Sequence, residues 1–255
     1  MAMTYFKREI TQREKPCIGI FADAYCGKTR LCATASEFAA MQGTVPGWLI
    51  LDRKSRQTIE ALHLEQGYDL PYINTKDFLD PRGALKLALT DNDEETKKIY
   101  AEAFDRMTEA MSQLADNKDV DPIIIDNGTE MWDWIGYARL GRREGKLQRY
   151  WGPANRDWKE FFGALNHKTT LITLQEKKYD KDKPSEPDGP PNLKYTTTSL
   201  IRLTKKESKN IVTAYGLDVY QSIDNKAMEG VDNLLTNDEI TVSNLIMQIR
   251  PDMIG

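Results

Sequence analysis

Residues 17–34 read CIGIFADAYCGKTRLCAT, and they constrain the fold more strongly than any other segment of the chain. An apolar run that predicts a buried strand leads through a short loop to Gly27, Lys28 and Thr29, after which a helical pattern begins. Loop amides and a helix N-terminus both present N–H groups to an anion, and the helix dipole favours negative charge there. The segment therefore predicts a strand, a loop and a helix that together bind the phosphates of a nucleotide.

The loop departs at one position from the phosphate-binding pattern G-x-x-x-x-G-K-[ST], because Ala22 stands where the first glycine is expected. The retained end is the more informative half: Lys28 is expected to reach the β and γ phosphates, and Thr29 to hold Mg²⁺. The residues predicted to contact the nucleotide are Asp23, Ala24, Tyr25, Cys26, Gly27, Lys28, Thr29 and Arg30.

The chain has 255 residues, of which 40% are hydrophobic, which suits one large domain over residues 1–255 with an N-terminal arm at 1–14. It has no run of about 18 uncharged apolar residues, and its first residues lack the apolar stretch of a secretory signal. We therefore expect a cytoplasmic protein that does not enter a membrane. The three cysteines cluster in one motif without a second half of a disulfide framework, so we expect them to be reduced.

Four apolar runs predict the strands of a central sheet, at residues 16–22, 48–51, 122–126 and 169–175. Helical periodicity predicts helices over 28–42, over 81–117 and after Gly128, and the first crossover is long enough for parallel pairing. Two further β runs, 200–204 and 211–215, suit a hairpin, and a last helix is expected over 241–249. The predicted fold is α/β, with a mostly parallel sheet flanked by helices and a β extension near the C-terminus.

The segment 176–195 has a different composition from its surroundings, since it is rich in proline and lysine and has no aliphatic residue before Leu193. Such a segment cannot bury enough apolar area to offset the entropy lost on ordering. It is predicted to be a mobile loop.

Asp126 ends the apolar run at 122–126, and an acid at the tip of a strand next to a phosphate loop commonly orders Mg²⁺. Thr173 and Gln175 lie near the end of the run at 169–175, where a polar side chain would sit beside the γ-phosphate if the two strands are neighbours. Asp52 and Glu130 are both candidates for the carboxylate that polarises the attacking water, and a solvated surface acid explains each equally well.

Two basic segments are candidates for contact with single-stranded nucleic acid, although the net charge of −4 excludes a general basic field. The first carries positive charge next to aromatic residues, a combination that suits single strands, and the second is the predicted mobile loop. A solvated helix face remains the alternative reading of both. The candidate residues are Arg142, Arg143, Lys146, Arg149, Lys177 and Lys178.

The order of these motifs resembles the RecA-like P-loop ATPases of bacteriophages and archaeal viruses, including single-strand-annealing recombination proteins. The resemblance covers about residues 15–215 and rests on ADAYCGKT, on IIIDN before a tryptophan-containing helix, on WGPANRDWKEFFGALNHKTTLITLQEKK and on SLIRLTKK. It implies a RecA-like fold in which Lys28 and Thr29 bind phosphate and Mg²⁺, Asp126 is the Walker B acid and Gln175 senses the γ-phosphate.

The same resemblance implies ATP and Mg²⁺ as cofactors, single-stranded DNA as a partner, and a homo-oligomer with ATP at the interfaces between protomers. If the protein is viral, its location would be the host cytoplasm. Where many RecA-like proteins have a glutamate after the aspartate of the second strand, this chain has Arg53. The expected activity is slow ATP hydrolysis coupled to DNA binding; the alternatives are a nucleotide-gated assembly protein without turnover and a small-molecule kinase.

Overall fold

A computed structural model of the protein describes residues 14–67, 72–74, 78, 93–141, 151–177, 185–208, 211–223 and 225–253. These residues form one mixed β-sheet with helices on both faces. The strands are β1 (Cys17–Ala22), β2 (Val45–Ile50), β3 (Tyr72–Asn74), β4 (Val120–Asp126), β5 (Thr170–Lys177), β6 (Glu186–Asp188), β7 (Ser199–Ser208), β8 (Ile211–Ser222) and β9 (Leu235–Thr236). The helices are α1 (Lys28–Ala33), α2 (Ala35–Gln42), α3 (Arg53–Gln66), α4 (Asp93–Asp116), α5 (Gly128–Leu140), α6 (Gly152–Ala164), α7 (Leu193–Thr196) and α8 (Val242–Ile249).

The strand order is β3-β2-β4-β5-β1-β7-β8-β9, and β6 pairs with β5 beside this path. All pairings from β3 to β7 along this order are parallel, whereas β8 runs antiparallel to β7 and to β9, and β6 antiparallel to β5. The α/β class, the mostly parallel sheet and the C-terminal β extension are therefore confirmed. The four predicted core strands are present, with ends shifted by at most a few residues.

The central strands are apolar along their whole length because helices cover both faces of the sheet, as parallel sheets require. All seven residues of β4 are buried. One face packs against α1, α2, α3 and α8 through residues such as Leu31, Phe38 and Leu245. The other face packs against α4, α5 and α6 through residues such as Met107, Ile135 and Trp158. This three-layer arrangement fixes the ends of the strands, where the predicted site residues lie.

The predicted helix over 28–42 is wrong in one respect, since the structure divides it at Thr34 into α1 and α2. Thr34 N donates to Leu31 O at 3.1 Å, three residues back, which tightens and closes the last turn of α1. The Thr34 hydroxyl also accepts a 2.8 Å hydrogen bond from Val242 N at the start of α8. The helix predicted over 81–117 corresponds to α4, and residues 81–92 lie outside the described residues.

The mobile loop predicted over 176–195 is also wrong in part. Residues 175–177 of β5 pair with 188–186 of β6, and Leu193 at the start of α7 is only 4% exposed. Pairing of β6 uses backbone groups, so it needs no apolar side chains that composition could reveal. Residues 178–184 lie outside the described residues.

In the part of the chain that the structure describes, no helix combines the length and apolar character that a membrane span requires.

Candidate functional site

Strands β1, β2, β4 and β5 run parallel, so their carboxyl ends meet at one edge of the sheet, where Gln175 of β5 and residues that follow β1, β2 and β4 line a cleft. The cleft has a volume of about 370 Å³. It brings together most of the residues predicted from the sequence to form the site. Its lining consists of Ala24, Tyr25, Cys26, Gly27, Lys28, Thr29, Arg30, Asp52, Lys54, Ser55, Thr58, Asp126, Asn127, Gln175 and Tyr215.

The loop between β1 and α1 turns at Gly27, which has φ +87° and is the N-cap of α1. A Cβ at Gly27 would meet no atom within 4 Å, so backbone conformation rather than crowding favours glycine here. Ala22 is instead the last residue of β1, fully buried and paired with Gln175. The residue that departs from the pattern thus lies in a strand, where glycine is not required.

Lys28 is the first residue of α1, and its buried side chain folds back over the loop. Its Nζ donates hydrogen bonds to Ala22 O at 3.0 Å and to Asp23 O at 3.1 Å. Burial lowers the pKa of Lys28, and the negative charge of Asp126 opposes this shift. The ammonium is therefore held at the loop by neutral carbonyl groups, which a phosphate can replace with a stronger, charge-assisted interaction.

Asp126 lies at the end of β4 and is only 2% exposed. Its Oδ2 accepts a 2.7 Å hydrogen bond from Thr29 Oγ1, and its Oδ1 accepts one from the hydroxyl of Thr173. Burial raises the pKa of Asp126, whereas hydrogen bonds from Thr173, Thr29 and Ser55 oppose the rise. One carboxylate is thus surrounded by hydroxyl groups from β5, α1 and α3.

These residues fit a magnesium site of the kind that a bound triphosphate completes. Mg²⁺ prefers oxygen ligands and retains several waters, so a hydroxyl and one carboxylate suffice when phosphate oxygens supply the rest. Thr29 and Asp126 provide that pair. Among the described residues no group of three acidic, histidine or cysteine side chains could hold a metal ion, and a site of this kind does not need one.

Gln175 is near the end of β5, between β1 on one side and β4 on the other. Its side chain lines the cleft, and its backbone N donates a 2.9 Å hydrogen bond to Thr129 Oγ1. The Thr129 hydroxyl in turn donates to Asp188 O at 2.5 Å. A sensor role for Gln175 needs β4 and β5 to be neighbours, and they are. Thr129 links Gln175 of β5 to Asp188 of β6 through its hydroxyl.

The two candidate bases differ in position. Asp52 lines the cleft as the N-cap of α3, and its Oδ1 accepts a 2.9 Å hydrogen bond from Lys54 N. Glu130 lies in the first turn of α5 and does not line the cleft. Burial raises the pKa of Glu130 and the charge of Asp52 acts in the same direction, while a hydrogen bond with Trp134 lowers it. The structure brings Asp52, but not Glu130, to the predicted phosphate site.

Three further predicted residues lie at the margins of the site. Asp23 does not line the cleft, and its Oδ1 accepts a hydrogen bond from Ala24 N at 2.9 Å. Arg30 lines it from α1 and lies 4.0 Å from Glu65. Lys177, from the nucleic-acid set, ends β5 and pairs with Glu186 of β6. The other residues of that set, Arg142, Arg143, Lys146, Arg149 and Lys178, lie outside the described residues.

Sequence reasoning missed five residues that also line the cleft, which are Lys54, Ser55, Thr58, Asn127 and Tyr215. Lys54 and Ser55 could have been found, because they directly follow Asp52 at the end of the second predicted strand. Tyr215 comes from β8, two strands beyond β1, and its position depends on the register of the β7–β8 hairpin.

A second cleft of about 460 Å³ adjoins the first and shares Cys26, Gly27, Arg30 and Tyr215 with it. Its other walls are mostly apolar. They consist of Leu31, Thr34, Leu62, Leu203, Asn237 and Ile240. A flat apolar group could therefore lie next to a group bound in the phosphate loop.

Comparison with known proteins found no family model that matches this chain and no curated protein with a significant match.

Proposed function

We propose that the protein binds ATP with Mg²⁺ and hydrolyses it slowly. The observation that carries this proposal is the 2.7 Å hydrogen bond between Thr29 and Asp126, which are 97 positions apart in the sequence. The sequence pattern assigns Thr29 and Asp126 to the same metal ion, and the fold brings them into direct contact beside Lys28. A chance lysine after a turn would not explain this arrangement.

The order of strands supports a RecA-like arrangement of the site. Strand β5 lies between the strand of the phosphate loop and the strand of the acid. A side chain at the end of β5 is therefore close to both, which suits a role of Gln175 in sensing the γ-phosphate. Binding at the carboxyl ends of the strands is also the usual place for ligands in open α/β sheets.

The two adjoining clefts suit the two halves of a nucleotide. The phosphates would lie in the first cleft, near the N-terminus of α1, and the nucleoside in the second, where Leu31, Leu203 and Ile240 offer apolar walls. Tyr215 is 38% exposed and borders both clefts, so its ring can pack against the base or the ribose. The volume of the second cleft is in the usual range for small-molecule sites.

In hydrolysis, bound Mg²⁺ would neutralise charge on the phosphate oxygens. Lys28 would bind the β and γ phosphates, Asp52 would orient water, and Gln175 would contact the γ-phosphate. We further propose that the nucleotide state is coupled to single-stranded DNA, through the basic segment at 139–151 and the residues joining β5 to β6, in a homo-oligomer with ATP at its interfaces. The support for this part is the resemblance, together with the pairing of Gln175 in β5 with Asp188 in β6.

A nucleotide-gated assembly protein without turnover is the second candidate, and the surroundings of Asp52 favour it. Asp52 Oδ1 is engaged by the amide of Lys54 as a helix cap, and the next residue is Arg53 where a glutamate is expected. A carboxylate used as a cap is less available to polarise a water molecule. Binding without hydrolysis would then be the function of the site.

Calorimetric titration with ATP and Mg²⁺, together with phosphate release measured with and without oligothymidine, tests the proposal. We expect the wild-type protein to bind ATP, and Lys28→Ala to lose binding by at least about tenfold, because a charge-assisted hydrogen bond contributes about 1.5–3 kcal/mol. Lys97→Ala removes a partly buried lysine of α4 that pairs with Glu94 on the same helix and does not line the cleft, and it serves as the control. ATP binding without phosphate release would favour the assembly protein, whereas unimpaired binding by Lys28→Ala would reject the site.

A further inference from the structure

Lys54 makes an unusual contact with the phosphate loop. Its Nζ lies 2.6 Å from the phenol oxygen of Tyr25 and 4.8 Å from the centroid of the same ring. Within the described residues Lys54 forms no ion pair with a carboxylate. The ammonium therefore contacts an aromatic side chain directly, while the carboxylate of Asp52 acts on it without forming an ion pair.

Tyr25 itself has features that a purely structural residue would not need. It is 76% exposed, and it adopts φ +62°, a left-handed conformation that non-glycine residues rarely use. Strained backbone that the surroundings maintain is concentrated at functional sites. The exposed ring contributes little to the core, and it contacts the side chain of Lys54.

Lys54 is also placed to reach a bound phosphate. It is the second residue of α3, after the N-cap Asp52, and its side chain lines the same cleft as Lys28, Asp126 and Gln175. Lys28 approaches this cleft from α1, whereas Lys54 approaches it from α3. A triphosphate in the loop would thus meet ammonium groups from two elements.

We propose that Lys54 binds the γ-phosphate and that Tyr25 holds this lysine until a triphosphate is present. Moving the ammonium from a phenol and a ring face to an anionic phosphate exchanges a weak contact for a strong, charge-assisted one. A diphosphate lacks the group that would draw Lys54 away, so the pair distinguishes ATP from ADP. This inference rests on the proposed function and assigns a specificity-determining residue to the same site.

Affinities for Mg-ATP and Mg-ADP, measured by calorimetry on the full chain, test the inference. We expect Lys54→Ala to weaken ATP binding by about tenfold or more while ADP binding changes by less than about twofold, and Lys54→Arg to recover part of the loss. The matched control is Arg56→Ala, two residues further along α3, since Arg56 pairs with Glu60 at 2.7 Å and does not line the cleft. It should leave both affinities unchanged.

Tyr25→Phe tests the resting contact, because it removes the phenol oxygen and keeps the ring. With Lys54 held less tightly, the ratio of ATP to ADP affinity should rise, by about twofold or more. Equal effects of Lys54→Ala on ATP and ADP, or no effect on either, would overturn the inference while leaving nucleotide binding intact. If the wild-type protein binds neither nucleotide, the proposed function itself fails, and the inference fails with it.

Discussion

Thr29 Oγ1 donates a hydrogen bond of 2.7 Å to Asp126 Oδ2 and so joins the first turn of α1 to the end of β4. The hydroxyl of Thr29 thus contacts the carboxylate oxygen at which we propose that a metal ion or its water shell binds. Because Asp126 is buried, an unpaired charge at this position would be costly, and the hydroxyl partners reduce that cost.

Replacing Asp126 by asparagine should weaken metal binding while the protein still folds. The amide keeps the size of the side chain but removes the charge that attracts Mg²⁺, so we expect affinity for ATP in the presence of Mg²⁺ to fall by at least about tenfold. Calorimetry with Mg²⁺ and with a chelator measures the effect. Asp119→Asn, in the turn just before the same strand and so far from its carboxyl end, is the control and should leave the metal dependence unchanged. An Asp126→Asn variant with full Mg²⁺ dependence would contradict the assignment.

Gly27→Ala should destabilise the protein although no atom obstructs a methyl group there. The left-handed conformation costs an L-residue roughly 1–2 kcal/mol, so the free energy of unfolding should fall by about that amount. Urea denaturation measures this change. Gly163→Ala is the matched comparison, since Gly163 also has free space around it but lies in α6 without a positive φ. There alanine should stabilise by up to about 1 kcal/mol, and equal effects at the two glycines would reject the explanation.

Thr129→Ala should loosen the pairing of β5 with β6. The hydroxyl accepts from Gln175 N at 2.9 Å and donates to Asp188 O at 2.5 Å, and both partners would lose a hydrogen bond. We expect a loss of about 1–3 kcal/mol, expressed as faster amide exchange at Glu186 and Asp188. Thr129→Ser retains the hydroxyl and should preserve the protection. Unchanged exchange in the alanine variant would show that Thr129 does not hold these strands together.

Asp133 on α5 should make stability depend on pH. Burial raises its pKa from the ordinary value of 3.8 to about 6, and the charges of Glu130 and Asp188 act in the same direction. Between these two values the unfolded chain has lost a proton that the folded protein keeps, so the free energy of unfolding falls as pH rises through this window.

Asp133→Asn removes this dependence, and the variant should gain stability relative to wild type at pH 7 but not at pH 4. We expect a difference of no more than about 1 kcal/mol, because Asp133 packs against its neighbours but also keeps an open side toward solvent, which screens its charge. Chemical denaturation at both pH values measures it. A stability difference that is the same at pH 4 and pH 7 would contradict the prediction.

The parts of the fold that could be predicted are those whose signal is local. Strands β1, β4 and β5 are buried on both faces, so each appears as a continuous apolar run. The meeting of Lys28, Thr29 and Asp126 was also predictable, because parallel strands bring their carboxyl ends to one edge. In contrast, strand β6 pairs with β5 through backbone groups, and its residues have the composition of a loop. Its side chains therefore did not indicate a strand.

The sequence could not predict which of Asp52 and Glu130 lines the cleft, because this depends on geometry within the first turn of a helix. Asp52 precedes α3 as its cap and so remains at the edge of the sheet. Glu130 lies one turn after the end of β4, with Asn127 as the helix cap, and does not line the cleft. Tyr215 was missed for a related reason, since only the register of a hairpin places it there.

The hydroxyl groups around Asp126 come from α1, α3 and β5, which are the elements that also carry Lys28, Lys54 and Gln175. A metal ion bound at this carboxylate would compete with these hydroxyl groups for the lone pairs of its two oxygens. A hydroxyl group displaced by the metal would then be free to reorient. These hydroxyl groups belong to α1, α3 and β5, which border the proposed phosphate site from different sides. Metal binding at Asp126 would in this way change hydrogen bonds in three elements at once: at the start of α1, at the start of α3 and near the end of β5.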